Sequence, residues 1–125
     1  MPRLRLQEYA MSQHRKHRGY ATQRILAAYL REHGFPFAEP VGAGRTGSDI
    51  TGTIGIDWEI KARARFNPKE TIDQLSERSN GKDLPVAVMR LNGQGEASIS
   101  SWVAMLTLQD LVVLLREAGY GEPIQ

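Results

Sequence analysis

Asp49, Glu59 and Lys61 have the types and spacing to cut a phosphodiester bond. Such a cleavage needs a divalent cation to offset phosphate charge, a water of lowered pKa, and a positive group near the scissile phosphate as negative charge builds. Mg2+ takes hard oxygen ligands, commonly one or two carboxylates completed by waters and phosphate oxygens. Asp49 and Glu59 can supply those carboxylates, with the Ile60 main-chain carbonyl as a third candidate ligand, and Mn2+ can substitute for Mg2+. Lys61 follows Glu59 by two positions, so a β-strand puts both on one face, where the ammonium can stabilise charge or orient water.

For these side chains to meet, the chain must form a hairpin. Asp49 to Thr53 and Ile56 to Ala62 are predicted as antiparallel strands joined by a tight turn at Ile54-Gly55. In the second strand Ile56, Trp58 and Ile60 alternate with Asp57, Glu59 and Lys61, separating an apolar face from a charged one. Upstream, Tyr20, Ile25, Leu26, Tyr29 and Leu30 recur at helical spacing, predicting a helix over 18–33 stopped by Gly34. A short strand is expected over 36–41, then a glycine-rich loop over 42–47. That loop lacks the Lys-Ser/Thr of a nucleotide-binding P-loop.

Downstream, Asn67 as cap, Pro68 at the first helical position and Glu70 predict a helix to about Asn80, ended by Gly81. Gln74 falls mid-helix, either toward the site or plainly exposed. Leu84 to Leu91 reads as a central apolar strand and Ser101 to Leu106 as another. Thr107 to Ala118 reads as a helix with Leu108, Leu111, Val112, Leu114 and Leu115 toward the core. The expected fold is α/β: a mixed sheet in the order αβββαβ flanked by helices.

At 125 residues the chain suits one domain over 1–125, with 1–17 a basic arm or helix extension. Its net charge is only +2, but Arg3, Arg5, Arg15, Lys16, Arg18 and Arg24 face a single acid, Glu8, within the first 24 residues. Lys61, Arg63, Arg65 and Lys69 form a second basic cluster, and the pI of about 9.2 fits a polyanion-binding face as well as a solvated one. The absence of cysteine excludes disulfides, thiolate catalysis and cysteine zinc sites. His14, His17 and His33 lack companions at metal-ligand spacing, and Trp58 and Trp102 read as core. No apolar run is long enough to span a bilayer and the N-terminus has no apolar segment of signal length, so a cytoplasmic protein without membrane contact is expected.

Gly47-Ser48-Asp49-Ile50 followed by Trp58-Glu59-Ile60-Lys61-Ala62-Arg63 resembles the signature of the PD-(D/E)xK nuclease superfamily. The order of Arg18-Gly19, the glycine loop, Asp49, the Glu-x-Lys strand, a helix and the strand 84–91 is similar to archaeal-type Holliday junction resolvases and their phage relatives. The resemblance covers about Arg18 to Leu91 and implies a restriction-endonuclease-like sheet. It implies an Mg2+-dependent endonuclease, selective for branched DNA, that resolves four-way junctions as a homodimer by paired cuts in a bacterial, archaeal or phage-infected cell. Ser48 replaces the proline of the motif. Gln23 stands where the first helix of the family carries an acid; it can hydrogen-bond a water of the cation or ligate weakly, but brings no charge. On this reading Asp49, Glu59, Lys61 and Gln23 form the catalytic set, with Asp49, Glu59 and Ile60 on the metal. DNA phosphates would meet Arg15, Lys16 and Arg18 on the arm, Arg45, Thr46 and Ser48 at the loop, and Arg63, Arg65 and Lys69 beyond the catalytic strand. The alternatives are a restriction-like or repair nuclease on duplex or flap DNA, and a catalytically weakened DNA-binding protein of the same fold.

Overall fold

A computed structural model describes residues 19–42, 47–63, 67–78 and 80–123 of the chain. The first helix, α1, covers residues 19–32 and buries Leu26, Ala27 and Leu30 along one stripe. It ends as predicted: Gly34 takes φ +101°, and the Phe35 N–H returns to the Leu30 carbonyl. Strand β1 (Glu39–Pro40) pairs antiparallel with β2 (Ile50–Thr51). Gly52 follows at φ +81°, so close to the Phe37 carbonyl that a Cβ there would collide with it.

Strand β3 (Ile56–Arg63) leads through α2 (Pro68–Arg78) to β4 (Leu84–Leu91), which lies parallel to β3 in continuous register from Ile56↔Leu84 to Arg63↔Leu91. A helical crossover is what a parallel pair requires. The start of α2 follows the predicted cap: Asn67 Oδ1 accepts from the Glu70 N–H, and Asn67 Nδ2 donates to the Glu70 carboxylate at 2.8 Å. A short 3-10 helix (Glu96–Ser101), absent from the sequence reading, precedes β5 (Val103–Met105), which pairs antiparallel with β4. The chain closes with α3 (Leu108–Glu117), capped by the Thr107 side chain on the Asp110 N–H.

The result is an α/β arrangement with a small mixed sheet between helices. On one face Trp58, Ile60 and Val88 pack with Leu26, Ala27 and Leu30 of α1 and with Ala38, Ile50 and Trp102. On the other, Ala87 and Met89 are buried and α2, which packs on β4, buries Thr71 and Leu75. Each fully buried leucine, isoleucine, valine or methionine side chain among these contributes about 1.5–3 kcal/mol. Register partners in a parallel pair share a face, so Glu59 opposite Ala87 and Lys61 opposite Met89 look toward the α2 layer.

Two expectations need correction. The sheet is not one continuous αβββαβ ladder: β1–β2 and β3–β4–β5 are separate ladders. Between β2 and β3 the backbone makes the bond from the Asp49 N–H to the Trp58 carbonyl, while the Ser48 hydroxyl and the Asp49 carboxylate take the next two β3 amides, those of Trp58 and Ile60. Side chains have replaced ladder carbonyls there. The second correction concerns α3, whose apolar residues were expected in the core. None of its residues is buried; Leu108 is 74% exposed, and Leu111, Val112, Val113, Leu114 and Leu115 are all exposed. Its helical periodicity is real, but no layer among the described residues covers it. Among the described residues no helix is long and apolar enough to cross a membrane.

Candidate active site

The site is built on the edge and the charged face of β3. Ser48 fixes the approach of its neighbour: its hydroxyl donates to the Ile50 carbonyl at 2.7 Å and accepts from the Trp58 N–H at 2.9 Å. The Ser48 hydroxyl therefore ties the segment that carries Asp49 to β3. Asp49 is then held against β3, one carboxylate oxygen accepting from the Ile60 N–H at 2.7 Å. In an extended strand the N–H and C=O of one residue leave on the same edge. The Ile60 carbonyl thus lies on the edge of β3 that Asp49 occupies.

Burial raises the Asp49 carboxyl from its ordinary 3.8 to about 6, and the negative charge of Glu59 pushes the same way. The hydrogen bond from Ile60 and the charges of Arg78 and Lys61 work against that rise without cancelling it. Asp49, Glu59 and Lys61 are therefore electrically one cluster, although Asp49 comes from the bend before β2, a position expected to be strand, and the other two from β3.

Glu59 is gripped by two cations. Lys61 Nζ lies 2.9 Å from one of its carboxylate oxygens and Arg78 Nη1 lies 2.7 Å from the other. The Glu59 side chain is 13% exposed and that of Lys61 17%, so this is no solvated surface pair. Arg78 also reaches Asp57, with Nη2 on Oδ1 at 2.7 Å and Nε on Oδ2 at 3.3 Å, and it donates to the Trp58 carbonyl. Burial opposes the arginine's charge, but its bonds to Asp57 and Glu59 outweigh that and raise its pKa further.

Arg78 is the residue that sequence reasoning missed. Thr71, Leu75 and Arg78 stand at i, i+4 and i+7 of α2, the spacing of one stripe. A basic residue closing a sheet-facing stripe, over a strand carrying Asp57 and Glu59, was the available signal. Gln74, weighed instead, is exposed. Asp57, on the charged face of the same strand, is the partner of Arg78 and only 14% exposed.

The remaining candidates are dispersed. Gln23 is buried in α1, and its Oε1 accepts from the Gly42 N–H at 3.1 Å, which pins the entrance of the glycine loop. Lys69 is exposed at the start of α2 and pairs with Asp73 at 2.7 Å. Arg15, Lys16, Arg18, Arg45, Thr46 and Arg65 lie outside the described residues, as does the side chain of Arg63.

The donor set suits a hard cation. Asp49 and Glu59 are carboxylates of one cluster and the Ile60 carbonyl stands beside them, which is the kind and number of protein oxygens Mg2+ takes when waters and phosphate complete its shell. Among the described residues no larger group of three or more histidine, cysteine, aspartate or glutamate side chains is gathered for a metal. Comparison of the chain with protein-family models, curated proteins and solved structures gave no match.

Proposed function

We propose that this protein is an Mg2+-dependent DNA endonuclease of restriction-endonuclease-like fold that cuts branched DNA, with four-way junctions as the preferred substrate. The observation that carries the reading is the buried coupling of Asp49, just before β2, with Glu59 and Lys61 of β3, with the Ile60 edge beside them. Asp49, Glu59 and the Ile60 carbonyl would hold the cation. Bound there, Mg2+ would offset the charge of the phosphate and lower the pKa of the attacking water. Lys61 would orient that water or meet charge building on the phosphate. Ser48 and the Ile60 N–H keep Asp49 in position, so the acid needs little reorganisation when DNA arrives.

A homodimer belongs to the same proposal, because a four-way junction presents two equivalent cutting points. Leu108, Leu111, Val112 and Leu115 form an exposed stripe on α3 at i, i+3, i+4 and i+7, which a second copy could cover. One observation favours the second reading, a DNA-binding protein with weakened cleavage: both Glu59 oxygens already have cationic partners, and Gln23 is engaged by the loop.

Labelled four-way junction, duplex and single strand, each incubated with Mg2+, Mn2+ or EDTA, separate these readings. Paired symmetric nicks near the branch point are expected with Mg2+, and Asp49→Asn and Lys61→Ala should each lose cutting by at least about a hundredfold while still binding junctions. Absence of cutting of any substrate with either metal would sink the nuclease reading. Cutting confined to duplex would sink the choice of junctions.

A further inference from the structure

Asp57 and Glu59 on β3 share the guanidinium of Arg78, and they share it unequally. Arg78 presents Nε and Nη2 side-on to both oxygens of Asp57. A single nitrogen, Nη1, goes to Glu59. A guanidinium matches a carboxylate best through two parallel N–H donors, and that fork is more specific than a single contact. Asp57 is thus the anchor of Arg78, and Glu59 is its exchangeable partner.

Glu59 also has a competing use. With Lys61 on one oxygen and Arg78 on the other, a divalent cation ligated by Glu59 would share that carboxylate with a fixed positive charge that opposes it. Loosening the Arg78 pair does not leave a buried charge without partners: Asp57 and the Trp58 carbonyl retain the guanidinium, and Lys61 stays with Glu59. That matters because a buried charge stripped of every partner costs several kcal/mol.

We propose that Arg78 is a positioning residue that competes with the divalent cation for Glu59, held in reserve by Asp57 so that Glu59 can be released without disordering the site. The inference rests on reading Asp49 and Glu59 as the cation ligands, and it adds what sets the strength of that binding. In this arrangement the resident arginine weakens metal binding while keeping Glu59 in place, so the site is ordered before metal arrives and binds it more tightly once the Arg78 contact is given up.

The competition predicts a gain of metal affinity on removing a residue, which loss of a merely structural contact would not produce. Mn2+ binding to DNA-free protein, followed by electron paramagnetic resonance of the unbound ion, is measured for wild type, Arg78→Met, Arg78→Lys, Glu59→Gln and the double variant Arg78→Met/Glu59→Gln. Thermal melts establish which of them are folded. Arg78→Met should bind Mn2+ about tenfold more tightly than wild type, as expected when a cation a few ångströms away is removed from a shielded site. Arg78→Lys should fall between the two, because an ammonium cannot span Asp57 and Glu59 as the fork does. In the Glu59→Gln background the gain should vanish. Unchanged or weaker binding by folded Arg78→Met overturns the proposal, and so does a gain that survives Glu59→Gln. If Arg78→Met does not fold, Arg78→Lys decides by the same rule. If wild type binds no Mn2+ but Arg78→Met does, the competition is upheld; if neither binds, it is overturned. Cleavage assays report separately on the nuclease reading: a wild type that cuts no DNA, with the Arg78→Met gain intact, rejects the reaction and keeps the competition.

Discussion

Asp49→Asn should make the metal-free protein more stable at neutral pH while removing the cleavage proposed for it. The Ile60 N–H needs an acceptor, and an asparagine carbonyl can supply one in the place of the carboxylate oxygen that now accepts at 2.7 Å. What the substitution removes is the charge. The Asp49 carboxyl stands at about 6 in the folded chain against an ordinary 3.8. Between those values the folded state holds a proton that the unfolded state has released, so stability falls as pH rises through this window. Above about 6 the whole difference is lost, a ceiling of about 3 kcal/mol at 1.36 kcal/mol per pH unit. Water reaches part of this carboxylate, and screening reduces the figure to roughly 1–2 kcal/mol. In EDTA at pH 7.5, urea or thermal unfolding should therefore show the variant more stable by roughly 1–2 kcal/mol, about 3–8 °C in Tm for a chain of this size. At pH 3.5 both states carry a largely protonated Asp49 and the advantage should disappear. Excess Mg2+ should raise the Tm of wild type and leave the variant unmoved, since only the ionised acid adds affinity. A variant less stable than wild type at pH 7.5, or a gain independent of pH, would refute the account of Asp49 as a charge opposed by its surroundings.

Two further outcomes follow from the same geometry. Ser48→Ala removes the acceptor of the buried Trp58 N–H and the donor to the Ile50 carbonyl, so it should cost about 1–3 kcal/mol in urea unfolding and reduce metal affinity by displacing Asp49; an unaltered Cm would show that the β2–β3 contact does not depend on that hydroxyl. Leu111→Glu combined with Leu115→Glu should convert a dimer to a monomer in sedimentation velocity while changing the melting of the subunit core little, because no residue of α3 is buried; a wild type that sediments as a monomer at all concentrations removes the dimer from the proposal.

Much of the scaffold was legible because its signals are local. The alternation from Ile56 to Lys61 separates buried Trp58 and Ile60 from the charged face, as period two requires, and the apolar run Leu84–Leu91 is β4 with the same bounds. Asn67 and Pro68 marked the start of α2 by cap chemistry alone. What escaped depends on pairings distant in sequence. Arg78 meets Asp57 and Glu59 only because α2 crosses back over a parallel β3–β4 pair, and neither half of that contact announces the other. The split of the sheet depends on Ser48 and Asp49 taking amides that a regular strand would have offered to carbonyls. For α3 the periodicity was read correctly and the partner assumed wrongly, since an amphipathic helix specifies a face to be covered but not what covers it.

Asp57, Glu59, Lys61 and Arg78 do not by themselves compel a catalytic reading. Each carboxylate has a cation within 2.9 Å, each cation has a carboxylate, and a paired cluster over α2 can be a structural network. Asp49 is different. The one hydrogen bond its carboxylate makes among the described residues is from the Ile60 N–H, a bond that a neutral amide could accept as well. Its charge is opposed by burial and by Glu59, and the bond and the two nearby cations do not restore an ordinary carboxylate. A structural network gains nothing from that ionised acid at neutral pH, whereas a divalent cation would reverse both penalties at once by supplying the charge the site lacks. The case for a metal site therefore turns on Asp49, the member of the cluster whose charge the fold itself leaves least compensated.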